Sequence, residues 1–108
     1  VKGNREEVEI IIYNLLDNAI KYSSGERIDI EIQNNKFIIR NSLDYIPEDI
    51  LNRLFEPFIK YNKDKKVITS SGFGLYMAKE LSDLNNISLN YEISNGKIVF
   101  NLESKNTN

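Results

Sequence analysis

Apolar residues recur along the first part of the chain at Val8, Ile11, Ile12, Leu15, Leu16, Ala19 and Ile20. That is the i, i+3, i+4, i+7 spacing of a helix that buries one face, and it predicts a helix over residues 5–22. Asn4 stands at the N-cap with Glu7 three residues on, a capping-box pattern, and Ser23-Ser24-Gly25 supplies a glycine C-cap. Two strands follow, over 27–33 and 36–40, with Asn34-Asn35 as the turn between them. In the first strand Ile28, Ile30 and Ile32 alternate with Asp29 and Glu31, which predicts one buried face and one wet face. Pro47, Glu48 and Asp49 suit the start of a second helix carrying Ile50, Leu51, Leu54 and Phe55 and stopping before Pro57. Residues 60–71 are polar and lysine-rich and read as a long loop. A third helix is predicted over about 74–85, with Leu75, Met77, Ala78, Leu81 and Leu84 as its apolar positions. A hairpin over 87–93 and 97–102, turning at Asn95-Gly96, closes the fold, and residues 103–108 form a polar tail expected to fray. The order α-ββ-α-loop-α-ββ predicts an α+β two-layer sandwich, three helices laid on a largely antiparallel sheet.

Composition narrows the choice of chemistry. At 108 residues the chain holds one domain. No apolar stretch approaches the roughly 20 residues that span a bilayer, so no membrane contact is expected of this domain. There is no cysteine, hence no disulfide, thiolate nucleophile or zinc–sulfur centre, and no histidine to serve as base, ligand or phosphoacceptor. A net charge of −2 argues against a nucleic-acid partner, which calls for a basic face. Lys60, Lys63, Lys65 and Lys66 cluster in the polar loop. Such a run fits a solvated loop, and it also fits a basic lid over phosphates.

Two constellations could carry chemistry. Asn14, Asn18 and Lys21 form a second stripe beside the apolar face of the first helix. Amides favour caps and turns over helix interiors, so two stacked beside a core face suggest coordination. An amide oxygen is a hard, neutral ligand for Mg²⁺, and a lysine one turn later can meet a phosphate. The same residues fit an ordinary polar surface equally well. Ser70-Ser71-Gly72-Phe73-Gly74-Leu75 opens straight into the third helix. Paired glycines there let backbone amides approach an anion at the helix start, although loop closure is the commoner use of such a pair.

The run Asn14-Leu15-Leu16-Asp17-Asn18-Ala19-Ile20-Lys21-Tyr22 resembles the N box of sensor histidine kinases almost letter for letter. Leu54-Phe55-Glu56-Pro57-Phe58 resembles their F box, and Gly72-Phe73-Gly74-Leu75 through Lys79 their second glycine box. The motifs come in the family's order, and the resemblance covers about residues 2–103. It implies a Bergerat-type fold with ATP and Mg²⁺ as cofactors. Carried over position by position, Asn18 is the metal ligand, with Asn14 beside the metal and phosphates, and Asn14 and Lys21 are the catalytic residues. Tyr22, Ile46, Phe58, Phe73 and Leu75 line the nucleotide, while Ser71, Gly72 and Gly74 surround the phosphates. Phe55 and Phe58 anchor a lid over residues 59–71. In related gyrase-like ATPases the place of Asn14 holds a water-activating glutamate. An amide has no useful basicity near neutral pH, which favours transfer over hydrolysis. The acceptor implied is a histidine on a separate dimerisation domain of a homodimeric parent, with a response regulator downstream. The setting implied is the cytoplasmic part of a membrane-bound bacterial sensor.

The resemblance departs in the first glycine box. Aligned on Ile46-Pro47, the segment reads Asn41-Ser42-Leu43-Asp44-Tyr45 where the family has Asp-x-Gly-x-Gly. The adenine-reading position becomes Asn41, which still accepts a hydrogen bond from an amino group without charge assistance. The second glycine box has Ser70 where a glycine is common, and the strand that the family places ahead of the first helix has no counterpart. Two readings follow: a kinase catalytic domain that binds Mg-ATP, or a degenerate module kept for contacts with a partner.

Overall fold

A computed structural model describes residues 1–43, 48–56, 61–62, 67–68 and 74–105, with the side chains of 22–26, 43, 50, 51, 61, 62, 67 and 68 left aside. In chain order the elements are α1 (Arg5–Tyr22), β1 (Ser23–Gln33), β2 (Lys36–Leu43), α2 (Glu48–Leu51), β3 (Tyr61–Asn62), β4 (Val67–Ile68), α3 (Gly74–Leu84), β5 (Ile87–Ser94) and β6 (Lys97–Ser104). The long strands form one antiparallel sheet in the order β1-β2-β6-β5. α1 and α3 pack side by side on one of its faces, giving the two layers that the sequence predicts.

Alternation builds the sheet's inner face. Phe37, Ile39 and Asn41 of β2, Ile98, Phe100 and Leu102 of β6, and Ile87 and Leu89 of β5 are all buried. Ile11, Leu15 and Ala19 of α1 and Leu75, Ala78 and Leu81 of α3 meet them in a single core. Burying one such Leu or Ile side chain contributes about 1.5–3 kcal/mol relative to leaving it in water. Asn95 and Gly96 both have positive φ, 54° and 74°. This matches the sharp two-residue turn expected between β5 and β6.

The start of α1 is fixed by two asparagines. Asn4 Oδ1 accepts from the Glu7 amide at 3.0 Å, as the N-cap reading predicts. The reciprocal bond comes from elsewhere, because the Asn4 amide donates to Asn85 Oδ1 at 2.7 Å. Asn85 Nδ2 in turn donates to Glu7 Oε1 at 2.9 Å and to the Leu81 carbonyl at 2.8 Å. A residue just past α3 thus completes the cap of α1 and ties the two helices antiparallel.

Several expectations are corrected. The second helix is a single turn, Glu48–Leu51, so two long helices form the layer rather than three. Turns follow it, with Glu56 N donating to the Arg53 carbonyl. They deliver Phe55 edge-on to Tyr91 and Phe100, with ring centroids at 5.5 and 6.3 Å. β1 begins at Ser23, directly after α1, with an irregular register between Ser23 and Ile28. Within the expected long loop, β3 and β4 pair as a small antiparallel ribbon, Tyr61 opposite Ile68. β6 runs through Ser104, whose Oγ accepts from the Lys2 amide, so those residues are held rather than frayed. Residues 106–108 lie outside the described part.

Three apolar stripes are narrower than their periodicity suggests. Ile20 of α1 and Leu84 of α3 point away from the sheet, at 70% and 76% exposure, and Met77 is also exposed. Ile30 and Ile32 share the inner face with Ile39 and Phe37, their register partners, yet are exposed. β1 is an edge strand, and the helix layer covers Ile28 but not Ile30 and Ile32.

Candidate nucleotide site

Asn14 sits midway along α1 on the flank that faces α3. Its Nδ2 donates to the Ile10 carbonyl one turn back at 3.0 Å, which directs Oδ1 outward from the helix. Oδ1 then meets the first residue of α3, where a methyl group added to Gly74 would stand 3.3 Å away. A side chain here would need the Asn14 amide to give way by a few tenths of an ångström. The structure brings together the two constellations that the sequence leaves far apart, the amide stripe and the end of the glycine turn.

Asn18, one turn on, is half-buried on the same flank, and its amide makes no hydrogen bond among the described residues. A half-buried amide with open lone pairs is suited to a hard cation. Lys21 is exposed and its Nζ pairs with Asp17 Oδ2 at 2.9 Å. It stands on the Asn14 flank, beside the Asp17 carboxylate. Tyr22 closes α1, with its side chain outside the described part. Leu75, in the first turn of α3, is 9% exposed and belongs to the core. Ile46, Phe58, Ser71, Gly72 and Phe73 lie outside the described residues.

Asn41 occupies the inner face of β2, opposite Ile28 and Ile98. It is 3% exposed. Its Nδ2 donates to the Ser42 carbonyl at 2.9 Å, while Oδ1 is buried without a hydrogen-bond partner. Leaving a buried acceptor unpaired costs about 1–3 kcal/mol, so natural folds reserve such atoms for a ligand, an ion or a water. The segment that the resemblance assigns to the base thus begins at an open acceptor. Asn101 Oδ1 is buried and unpartnered too, but it points to the opposite face of the sheet, into a groove lined by Ser88, Asn90, Glu92 and Glu103.

Two further residues frame this region. Lys79 Nζ reaches the Leu89 carbonyl at 3.3 Å and lies 5.6 Å from the centre of the Phe55 ring. It links the Phe55 ring to β5 through α3. Asn85 holds the far ends of α1 and α3 together. The i, i+4 spacing of Lys79 and Asp83 is legible in the sequence, whereas a contact between Asn85 and Asn4 carries no local signal.

The sequence pattern described as histidine kinase-, DNA gyrase B- and HSP90-like ATPase matches residues 3–106. Among proteins of known name, the chain is 40% identical over 103 residues to the histidine protein kinase SaeS of Staphylococcus aureus. That alignment covers 85% of this chain and 29% of the relative, so the chain spans under a third of its length. It is 26% identical over 102 residues to the sensor histidine kinase ArsS of Helicobacter pylori, covering 94% of this chain and 23% of the relative. Among solved structures, the catalytic domain of histidine kinase ThkA superposes with a TM-score of 0.67 at 26% identity, covering 96% of this chain and 70% of that domain. The Acinetobacter baumannii histidine kinase AdeS gives a TM-score of 0.69 at 24% identity over 96% of this chain and 48% of its own, a likeness of fold.

Proposed function

Because the chain belongs to the family of histidine kinase-, DNA gyrase B- and HSP90-like ATPases, we propose that it is the Mg-ATP-binding catalytic domain of a sensor histidine kinase. It passes the γ-phosphoryl group to a histidine on a separate helical dimerisation domain. The observation that carries this reading is the meeting of Asn14 Oδ1 with Gly74 at the open end of α3.

The residues divide the work. Asn18 would hold Mg²⁺, with Asn14 beside it. Mg²⁺ supplies charge neutralisation on the phosphates when bound. The Gly74 end of α3 offers a helix dipole and first-turn amides to the phosphates. Lys21 would exchange Asp17 for a phosphate oxygen. Positioning and charge stabilisation then suffice for transfer, since phosphoryl transfer asks little covalent chemistry of the protein. Asn14 cannot take a proton from water, so hydrolysis is disfavoured. The chain holds no histidine, and the acceptor is supplied by another domain. That domain belongs to a homodimeric parent, and a response regulator takes the phosphoryl group from it in turn. No helix among the described residues is long and apolar enough to cross a membrane, and we place this domain on the cytoplasmic side of a membrane-bound sensor.

A second reading, a degenerate module, draws on Leu43 and Tyr45 standing where the resemblance implies glycines. The open acceptor of Asn41 supports a pocket that still takes a base. The test is phosphotransfer by the full-length parent with γ-labelled ATP. An acid-labile, base-stable phosphoryl group on the parent protein supports the kinase reading. Nucleotide binding without such a product supports the module.

A further inference from the structure

Several asparagine side chains in this fold are held in place. Those of Asn4, Asn14, Asn41, Asn85 and Asn90 each make a hydrogen bond. Asn95, at the tip of the β5–β6 hairpin, is different. It is exposed, and its side chain makes no hydrogen bond among the described residues. The next residue, Gly96, is also exposed, and a methyl group added there would meet nothing within 4 Å. The strand ladder closes on the pair Ser94 and Lys97. The Gly96 amide lies outside it and donates to no group among the described residues. A free carboxamide thus stands beside a free and unshielded backbone nitrogen.

We propose that Asn95 is a site of spontaneous covalent modification, a succinimide-forming asparagine whose reaction is limited by opening of the hairpin tip. The Gly96 nitrogen bonds to Asn95 Cγ, and the Cγ–Nδ2 bond breaks. Nδ2 leaves as ammonia, taking up a proton in exchange for the one lost from Gly96. Water then opens the cyclic imide. Attack at Cγ gives aspartate, and attack at the former backbone carbonyl gives a β-linked isoaspartate. The sum is water in and ammonia out, with no change of oxidation state. A side chain at the following position would crowd the approach of the nitrogen, and glycine removes that obstacle. Asn95 and Gly96 both have positive φ, 54° and 74°, as a primed two-residue turn needs. Ring closure swings the peptide plane between them, so the turn comes apart first. Such a tip opens more readily than the strands behind it. The isoaspartyl product carries an extra backbone atom and a carboxylate, which no longer suit a two-residue turn. It lies next to the pair Ile93 and Ile98, and Ile98 is buried in the core. Modification therefore loosens the start of β6.

The experiment is prolonged incubation of this chain at mildly alkaline pH, folded and in denaturant. Peptide mass spectrometry locates each exchange of ammonia for water. Asn95→Gly is the control, since it keeps residues that tolerate positive φ at the turn and has no carboxamide. In the folded chain the exchange is expected at Asn95 before any other asparagine, as a mixture of aspartyl and isoaspartyl forms. In denaturant it is expected to run severalfold faster. Earlier exchange at another asparagine of the folded chain, or none at Asn95 in either state, would overturn the site. Equal rates in the two states would overturn the dependence on hairpin opening. The isoaspartyl fraction, separated by chromatography, is expected to melt below the unmodified chain and below Asn95→Gly. An unchanged melt would overturn the loosening of β6.

Discussion

Gly74 and Asn14 meet where α3 begins and α1 is half run, and the contact is tight, since an added methyl would stand 3.3 Å from Asn14 Oδ1 and 3.9 Å from its Cγ. Alanine at a helical position is favoured over glycine by about 1 kcal/mol. The crowding at Oδ1 works against that gain. Gly74→Ala is therefore expected to change the melting free energy by no more than about 1 kcal/mol. It displaces the Asn14 amide and weakens Mg-ATP binding severalfold. A melt and a titration on the same sample check the two halves. Unchanged affinity would show that the contact serves packing alone.

The cap shared between the helices gives a second expectation. Asn85→Ala removes the acceptor of the Asn4 amide and the donor to Glu7. A net loss of about 1–2 kcal/mol is expected, typical of one or two hydrogen bonds in a partly exposed place. Asn4→Ala removes the N-cap and costs about 1 kcal/mol. Because both side chains hold the same cap, Asn4 through the Glu7 amide and Asn85 through the Asn4 amide and the Glu7 carboxylate, the double variant is expected to lose less than the sum. Denaturant melts of the four proteins check it, and strict additivity would contradict the shared cap.

Phe100 is fully buried in the aromatic cluster with Phe55 and Tyr91. Phe100→Ala leaves a cavity between sheet and α3 and is expected to destabilise by about 3–5 kcal/mol, read from chemical denaturation. Leu84→Ala, on the exposed side of α3, is expected to stay within about 0.5 kcal/mol.

Burial raises the pKa of Tyr91 above its ordinary value of 10.0. The folded state then keeps its proton where the unfolded state has begun to lose it. Tyr91 thus costs no stability at neutral pH, and stability falls as pH rises above about 10. Tyr91→Phe is expected to flatten that part of the profile. Melting temperatures of both proteins from neutral to strongly alkaline pH test the sign, and parallel profiles would contradict it.

Much of this was legible in the residues, and the misses have a common cause. α1 and α3 follow their apolar period because each buries one stripe, and the Asn95-Gly96 turn follows from two positive φ angles. Periodicity does not say how far one layer extends over another. Ile30 and Ile32 alternate like core residues, yet they stand on an edge strand beyond the helices. Ile20 belongs to the apolar run of α1, but on the side turned from the sheet. The second helix is shorter than its pattern, because Leu54 and Phe55 carry helical spacing while Phe55 is drawn into a turn by Tyr91 and Phe100. At the site, the stripe of Asn14, Asn18 and Lys21 was visible as a wheel position. Its contact with Gly74 was not, since it joins residues sixty positions apart in the chain. The Asp17 partner of Lys21 lies at i, i+4 and could have been read from spacing. The open acceptor of Asn41 depends on a backbone carbonyl, which no sequence pattern reports.

The central claim is that the flank of α1 facing Gly74 holds a metal-bound nucleotide. Its most direct measurement is titration of this chain with a non-hydrolysable ATP analogue, with and without Mg²⁺, on the wild type and on Asn18→Ala. The account predicts saturable binding that weakens about tenfold or more when Mg²⁺ is withheld, and a variant in which Mg²⁺ makes no difference. Binding by Asn18→Ala that keeps the wild-type dependence on Mg²⁺, or no binding by the folded wild type at millimolar nucleotide, would contradict it.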